Sequence, residues 1–243
     1  MPDRITQTWV YLSATPLFWL AMTLVAYQMA HWLYRRCGAH PIANPVLISV
    51  ILLVILLTLT ETPYVIYFEG AQFVHFLLGP ATVALAIPLY GQFKRLVGLA
   101  GPLTIALFGG SLTAVLSAVF VGHWLGGSLP TLLSLAPKSV TTPIAMGIAE
   151  RVGGHPSLAA VMVIVTGILG AIVAQTLYRW LGVRDSAVGG FALGVAAHGI
   201  GTARAFQIND TMGAFAALGM GLNGLLTASL LPSLMNWLKP FLQ

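Results

Sequence analysis

The chain has 243 residues, of which 58% are hydrophobic and only 7% charged. Soluble domains carry about 25% charged residues, so a soluble enzyme or adaptor is excluded and the chain reads as an integral membrane protein. The net charge of +5, from 11 Lys+Arg against 6 Asp+Glu, contains no basic run longer than two residues; it reads as loop charge beside a bilayer, not as a nucleic-acid patch or a polybasic lipid anchor.

The sequence predicts an all-α polytopic membrane protein, residues 1–243 forming a single transmembrane domain with about seven or eight hydrophobic segments. The first, residues 9–33, is too long for the apolar core of a cleavable signal and is expected to stay as a spanning helix. The second covers 44–60. The third, 64–90, is interrupted at Gly79-Pro80, and the fourth covers 96–122. The fifth, 129–149, is interrupted at Pro137 and Pro143, and the sixth covers 157–180. The seventh, 187–206, is broken around Gly199-Ile200-Gly201, and the eighth covers 211–238. A spanning helix needs about 20 residues. The third, fifth and seventh segments are long enough either to cross or to enter and return as re-entrant hairpins.

Internal repetition is visible. Arg36-Cys37-Gly38-Ala39-His40-Pro41 matches Arg151-Val152-Gly153-Gly154-His155-Pro156 at an offset of 115, and Gly79-Pro80-Ala81-Thr82 precedes Gly199-Ile200-Gly201-Thr202 by 120. These offsets suggest repeats at 13–122 and 129–242. A competing register of 57 relates Leu78-Gly79-Pro80 to Leu135-Ala136-Pro137. If the halves are oppositely oriented, Arg179, Arg184 and Lys239 fall on one side. Inverted repeats with broken helices are a common transporter plan.

Two stretches place ionisable groups inside apolar segments, where a charge is costly and therefore points to function. In the first, Pro137 and Pro143 force an unwound backbone between them. Lys138 supplies a cation there, and Ser139, Thr141 and Thr142 supply hydroxyls. A half-helix starting near Pro143 would aim its positive end into the gap, where an anion is well placed. The plain alternative is a kinked helix with Lys138 snorkelling to an interface. In the second stretch, His198, Gly199, Gly201, Thr202 and Arg204 lie within seven residues. Arg204 presents a fork that matches a carboxylate, and His198 can exchange a proton near neutral pH. The plain alternative is a helix end with Arg204 facing headgroups. Thr82 brings a further hydroxyl. Asn223, among small residues, is adequately explained by helix packing. With Cys37 the single cysteine, no intramolecular disulfide forms, and no His or Cys pair has metal-ligand spacing. No cofactor is expected.

These motifs resemble the LrgB/CidB family of membrane proteins. The resemblance rests on Leu77 to Tyr90, on Ala136 to Ala145 and on His198 to Ala205, in the family's order. It implies a bacterial inner (plasma) membrane location and two rival functions. Members are described as antiholin-like modulators of murein hydrolase export and autolysis, acting beside a small LrgA/CidA-type partner. Members are also linked to pyruvate movement, and a similar plastid protein exchanges glycolate and glycerate. The expected function is secondary transport of a small monocarboxylate; the alternative is the antiholin-like regulator. In the transport reading, Arg204, Lys138, Ser139, Thr141, Thr142, Thr202, Thr82, Gly199 and Gly201 bind substrate and His198 couples protons. A homodimer is expected. The Lys138-Ser139 pair does not make an enzyme, since adjacent helical residues do not face each other.

Overall fold

A computed structural model describes residues 15–40 and 43–242, apart from the side chains of Leu78 and Thr82. The start of the first predicted segment and Pro41 lie outside the described residues. All described regular structure is helical. The chain forms two compact units, residues 1–84 and 85–243.

The first unit contains α1 (Pro16–Arg36), α2 (Pro45–Leu59), α3 (Tyr64–Phe76) and α4 (Leu78–Ala84). Asn44 caps α2 by accepting from the amides of Val46 and Leu47. Fully buried Trp19 anchors α1 on α3, edge-on to Tyr67. Gly70 leaves no room for a Cβ against the Pro16 carbonyl, so these two backbones touch. The interruption expected at Gly79-Pro80 falls earlier, at Leu77 between α3 and α4. Pro80 sits in the first turn of α4, where the missing amide hydrogen has no helical partner to lose.

The second unit opens with two short helices, α5 (Ala86–Gly91) and α6 (Phe93–Gly98). The long helix α7 (Ala100–Trp124) follows, then α8 (Leu129–Leu135) and α9 (Thr142–Val152). Three helices of 26, 23 and 29 residues complete it: α10 (Pro156–Leu181), α11 (Ser186–Ile208) and α12 (Asp210–Leu238). A 3-10 turn, Lys239–Phe241, closes the described chain. At 1.5 Å per residue, α7, α10 and α12 are each about 37–44 Å long, enough for a hydrocarbon core of about 30 Å. Trp124, Trp180 and Trp237, at their C-terminal ends, are 85%, 81% and 65% exposed, the placement of interfacial tryptophans.

Among the described residues, five stretches are long and apolar enough to cross a membrane: 64–91, α7, α10, α11 and the run 210–241. Contacts show that α11 instead goes in and returns. A straight 23-residue helix would separate its ends by about 34 Å, yet Asn209 donates to the Ser186 hydroxyl at 3.2 Å. A Cβ on Gly201 would stand 2.8 Å from the Leu193 carbonyl, eight residues earlier. The chain turns at Ala197 (φ −124°, ψ 17°) and His198 (φ 40°, ψ −133°). The break is thus at His198, just before the glycines named by the sequence. Gly201 serves instead where the returning arm meets the entering one. The entering arm lies parallel to α12, with Gly190 against Met212 and Gly194 against Ala216. At both positions any Cβ would run into a backbone carbonyl.

Helices α8 and α9 form the other hairpin. The amide of His155, just past α9, donates to the Ser134 hydroxyl in the last turn of α8 at 2.7 Å, so the chain leaving α9 comes back beside the end of α8. Between them residues 136–141 are unwound, with turns closed by Lys138 N to Leu135 O and Val140 N to Pro137 O. Of the fifth and seventh segments, then, neither crosses.

These returns fix the directions of the three spanning helices of the second unit, α7, α10 and α12. Leu107 packs with Phe215, and Val115 and Val119 with Leu231 and Met235, so α7 and α12 run the same way and α10, between them in the chain, runs back. The α8–α9 hairpin enters from the end where α7 finishes; α11 enters from the opposite end. A span followed by a hairpin therefore occurs twice, the second time inverted. Lys239, at the far end of α12 from Asn209, lies opposite Arg179 and Arg184. The sequence reading that put all three on one side is corrected by this direction of α12.

Candidate functional site

The two hairpin tips meet at the midpoints of the three spanning helices. Asn223, halfway along α12 and 1% exposed, joins them. Its amide nitrogen donates to the carbonyls of Ser139 and Val195, each at 3.0 Å. Its oxygen accepts from the hydroxyls of Ser111, halfway along α7, and Thr227 at 3.3 Å. Ser139 and Val195 are 56 positions apart, which is also the separation of Ser111 from Gly167 and of Gly167 from Asn223. Corresponding carbonyls of the two inverted hairpins are thus held by one side-chain amide. A buried amide with all four bonding positions used is well satisfied, and removing it strands its partners.

The first tip carries the chemistry. Lys138 is half-buried and donates to the Ser139 hydroxyl at 3.2 Å. Thr141 occupies the N-cap position of α9 in extended conformation, but its side chain does not cap the helix. Thr142 follows in the first turn, half-buried. No Thr141 side chain closes the first turn of α9. At the second tip His198 is buried, and its Nε2 stands 2.9 Å from the Val163 carbonyl on α10. A carbonyl only accepts, so Nε2 carries the hydrogen. Lys138 lies within electrostatic range of His198. The Thr202 hydroxyl donates to the His198 carbonyl at 2.8 Å and lies 3.8 Å from the Met220 sulfur. Gly199 is half-buried at the start of the returning arm, while Gly201 is fully packed.

Asn223 thus ties Ser139 at one tip to Val195 beside the other, and Lys138 stands within electrostatic range of His198. Arg204 is set apart. It lies six residues beyond His198, about 9 Å along the arm, and is buried. Its guanidinium donates to Gln207 at 3.0 Å and Gln175 at 3.4 Å. Thr82 belongs to α4 of the first unit. Among the described residues no cluster of three or more His, Cys, Asp or Glu could hold a metal. Asn223 is the residue that sequence reasoning undervalued. The available signal is an amide at the centre of a largely apolar helix, with Gly219, Gly221 and Gly224 around it.

Each tip begins a helix: α9 starts at Thr142, and the returning arm of α11 starts after His198. Their aligned amides place positive potential there, and Lys138 adds a full charge. The arrangement can bind a small anion by backbone amides, hydroxyls and one ammonium.

A model of the LrgB-like family matches residues 23–237. The chain is 35% identical over 219 residues to the uncharacterized protein YwbG of Bacillus subtilis, covering 90% of this chain and 97% of the relative. It is 31% identical to a holin-like protein CidB of Staphylococcus epidermidis, covering 92% and 96% of the two chains. It is 26% identical to an antiholin-like protein LrgB of Bacillus cereus, covering 92% and 97%. No solved structure matches.

Proposed function

The chain belongs to the LrgB-like family, and from that premise we infer that it is a holin- or antiholin-like membrane protein in the sense of its named relatives. We further propose that its action at the bilayer is to pass a small monocarboxylate, of the glycolate, glycerate or pyruvate type, between the two hairpin tips. The relatives' names support the first statement; none of them names a transported solute.

One observation supports the second: two re-entrant hairpins from opposite sides are tied through Asn223 at mid-depth, with Lys138 at one tip within electrostatic range of His198 at the other. Irregular backbone at membrane depth is tolerated only where it is sheltered or lines a cavity. Opposed broken helices of this kind are how membrane carriers hold anionic groups. A partner-dependent regulator has no need of a cation and free helix amides at mid-bilayer. In this proposal the carboxylate meets Lys138 and the α9 amides, and Ser139, Thr141, Thr142 and Thr202 bond the 2-oxygen. His198 carries the coupled proton. Arg204 serves the approach rather than the tip.

By the positive-inside rule, the side bearing Lys94, Arg95, Arg179 and Arg184 is cytoplasmic in a bacterial inner membrane. A homodimer, which a small transporter of this kind uses as a scaffold, and a small LrgA/CidA-type partner, which the family resemblance alone supports, belong to the same proposal. The test is uptake of labelled glycolate, pyruvate and lactate by proteoliposomes of the purified chain. Saturable uptake that falls at least about tenfold in Lys138→Gln is expected. Uptake no greater than in empty vesicles, with an autolysis phenotype that responds to the same variant, leaves the antiholin-like role alone standing.

A further inference from the structure

At the open end of the second hairpin, where α10 hands over to α11 and α11 to α12, the structure has a cavity of about 410 Å³. Arg179 and Arg184 line it, together with the amide side chains of Gln175 and Asn209. Ile208 and Met212 form an apolar part of the wall. The carboxylate in the lining is Asp185, and it is already occupied. Arg95 grips both of its oxygens, at 2.7 and 2.8 Å, and it caps α11 by accepting from the amides of Ala187 and Val188. The remaining charge of the cavity is positive. Behind its wall lies a third guanidinium, since Gln175 faces the cavity and also accepts from buried Arg204.

We propose that this cavity is an anion vestibule, a site that takes a small free carboxylate on the arginine-rich side before it reaches the hairpin tips. Arg179 and Arg184 attract the carboxylate, Gln175 and Asn209 bond it, and Ile208 with Met212 accommodate a short carbon skeleton. Arg204 is the next cation inward, and the tip with Lys138 and His198 lies about 9 Å beyond. Clefts lined by one sign of charge concentrate ions of the other sign and raise encounter rates by about 10-fold or more. The vestibule rests on the transport reading for its purpose, but its binding is measurable without transport.

The experiment places one thiol in the cavity. Cys37→Ser removes the native exposed thiol, and Ser186→Cys, in the lining, introduces a new one; Val183→Cys is a second position should the first misfold. Labelling rates in detergent are compared for a thiosulfonate bearing a sulfonate and one bearing a trimethylammonium group. The anionic reagent is expected to react about tenfold faster, glycolate at millimolar concentration to slow it, and Arg179→Gln/Arg184→Gln to abolish the preference. An unchanged preference in that double variant overturns the vestibule. So does protection by anionic-lipid vesicles with none by glycolate, which makes the cavity a headgroup site. If the labelling behaves as expected and proteoliposomes take up no monocarboxylate, the vestibule stands and the transport reading falls. If uptake is normal in the double variant and the preference persists, the reverse holds.

Discussion

The two re-entrant hairpins reach the same depth by different chemistry. The α8–α9 hairpin is broken by sequence: Pro137 and Pro143 bracket an unwound tip whose side chains include Lys138, Ser139 and Thr141. The α11 hairpin is broken by conformation: two residues turn the chain, one of them a histidine at φ 40°. Its arms instead hold the small residues, Gly190 and Gly194, that let it lie on the backbone of α12. One hairpin supplies ligands and the other supplies close packing. A site formed where they touch therefore has a soft wall and a hard one.

The largest effect expected from this difference is steric. Gly194→Leu drives a side chain into the Ala216 carbonyl. It should destabilise the protein by about 1–3 kcal/mol or more, read as loss of monodisperse protein in detergent. Gly147, on α9 of the first hairpin, has open space where a Cβ would stand. Gly147→Leu should change stability by no more than about 0.5 kcal/mol. Equal damage from both variants would end the soft-and-hard distinction.

Asn223 measures how each tip depends on the common tie. Asn223→Leu strands the carbonyls of Ser139 and Val195, at about 1–3 kcal/mol for each buried group left unpaired. The unwound tip should suffer more, because residues 136–141 have few bonds of their own. Thiol labelling of Ser139→Cys should therefore rise in the Asn223→Leu background, while Val195→Cys, packed against Phe191 and Leu107, stays protected. Protection of both would show that Asn223 ties nothing.

How much of this could be read from the chain follows the same contrast. Proline, lysine and hydroxyls announce a break in one dimension, so the first hairpin and its ligands were legible. Family motifs gave the second stretch as well, but its turn at His198 was displaced to the glycines, because positive φ at a histidine leaves no compositional mark. Whether a segment crosses or returns depends on which end meets which neighbour, as Ser186 meets Asn209, and periodicity carries no such information. Asn223 was passed over because its value lies in four partners from three other parts of the chain and its own helix. The longer repeat of 13–122 with 129–242 spans both compact units and stands as a proposal; the inversion within the second unit is a property of its contacts.

A smaller effect isolates the cost of the conformational break. A non-glycine residue at φ 40°, ψ −133° stores roughly 1–3 kcal/mol of backbone strain, and glycine adopts positive φ freely. Both His198→Ala and His198→Gly lose the bond to Val163, so their difference reports the backbone alone. His198→Gly should be the more stable of the two by about 1 kcal/mol, read as a higher Tm. In the first hairpin Lys138→Gly, where φ is not the cause of the break, should bring no such gain over Lys138→Ala. A His198→Ala variant as stable as His198→Gly would mean that the turn is unstrained.

The smallest effect concerns the end of the second hairpin, for which the first has no described counterpart. Asp185 lies between α10 and the second hairpin, and its carboxyl is held below its ordinary value of 3.8, first by the Ala187 amide and then by the Val188 amide and Arg95 against some loss of solvent. A depressed carboxylate contributes stability above its unfolded value and loses it as pH falls through its folded value. The cap and ion pair are thus fully present at neutral pH and vanish only below about pH 4. Both partners are exposed, at 42% and 49%, so the pair is worth at most about 1 kcal/mol. Arg95→Gln should lower Tm slightly at pH 7 and still less at pH 3, where the wild-type carboxyl is itself becoming protonated, and added salt should narrow the difference. A deficit in Arg95→Gln that grows on acidification would show that Arg95 stabilises the protein through some contact other than Asp185.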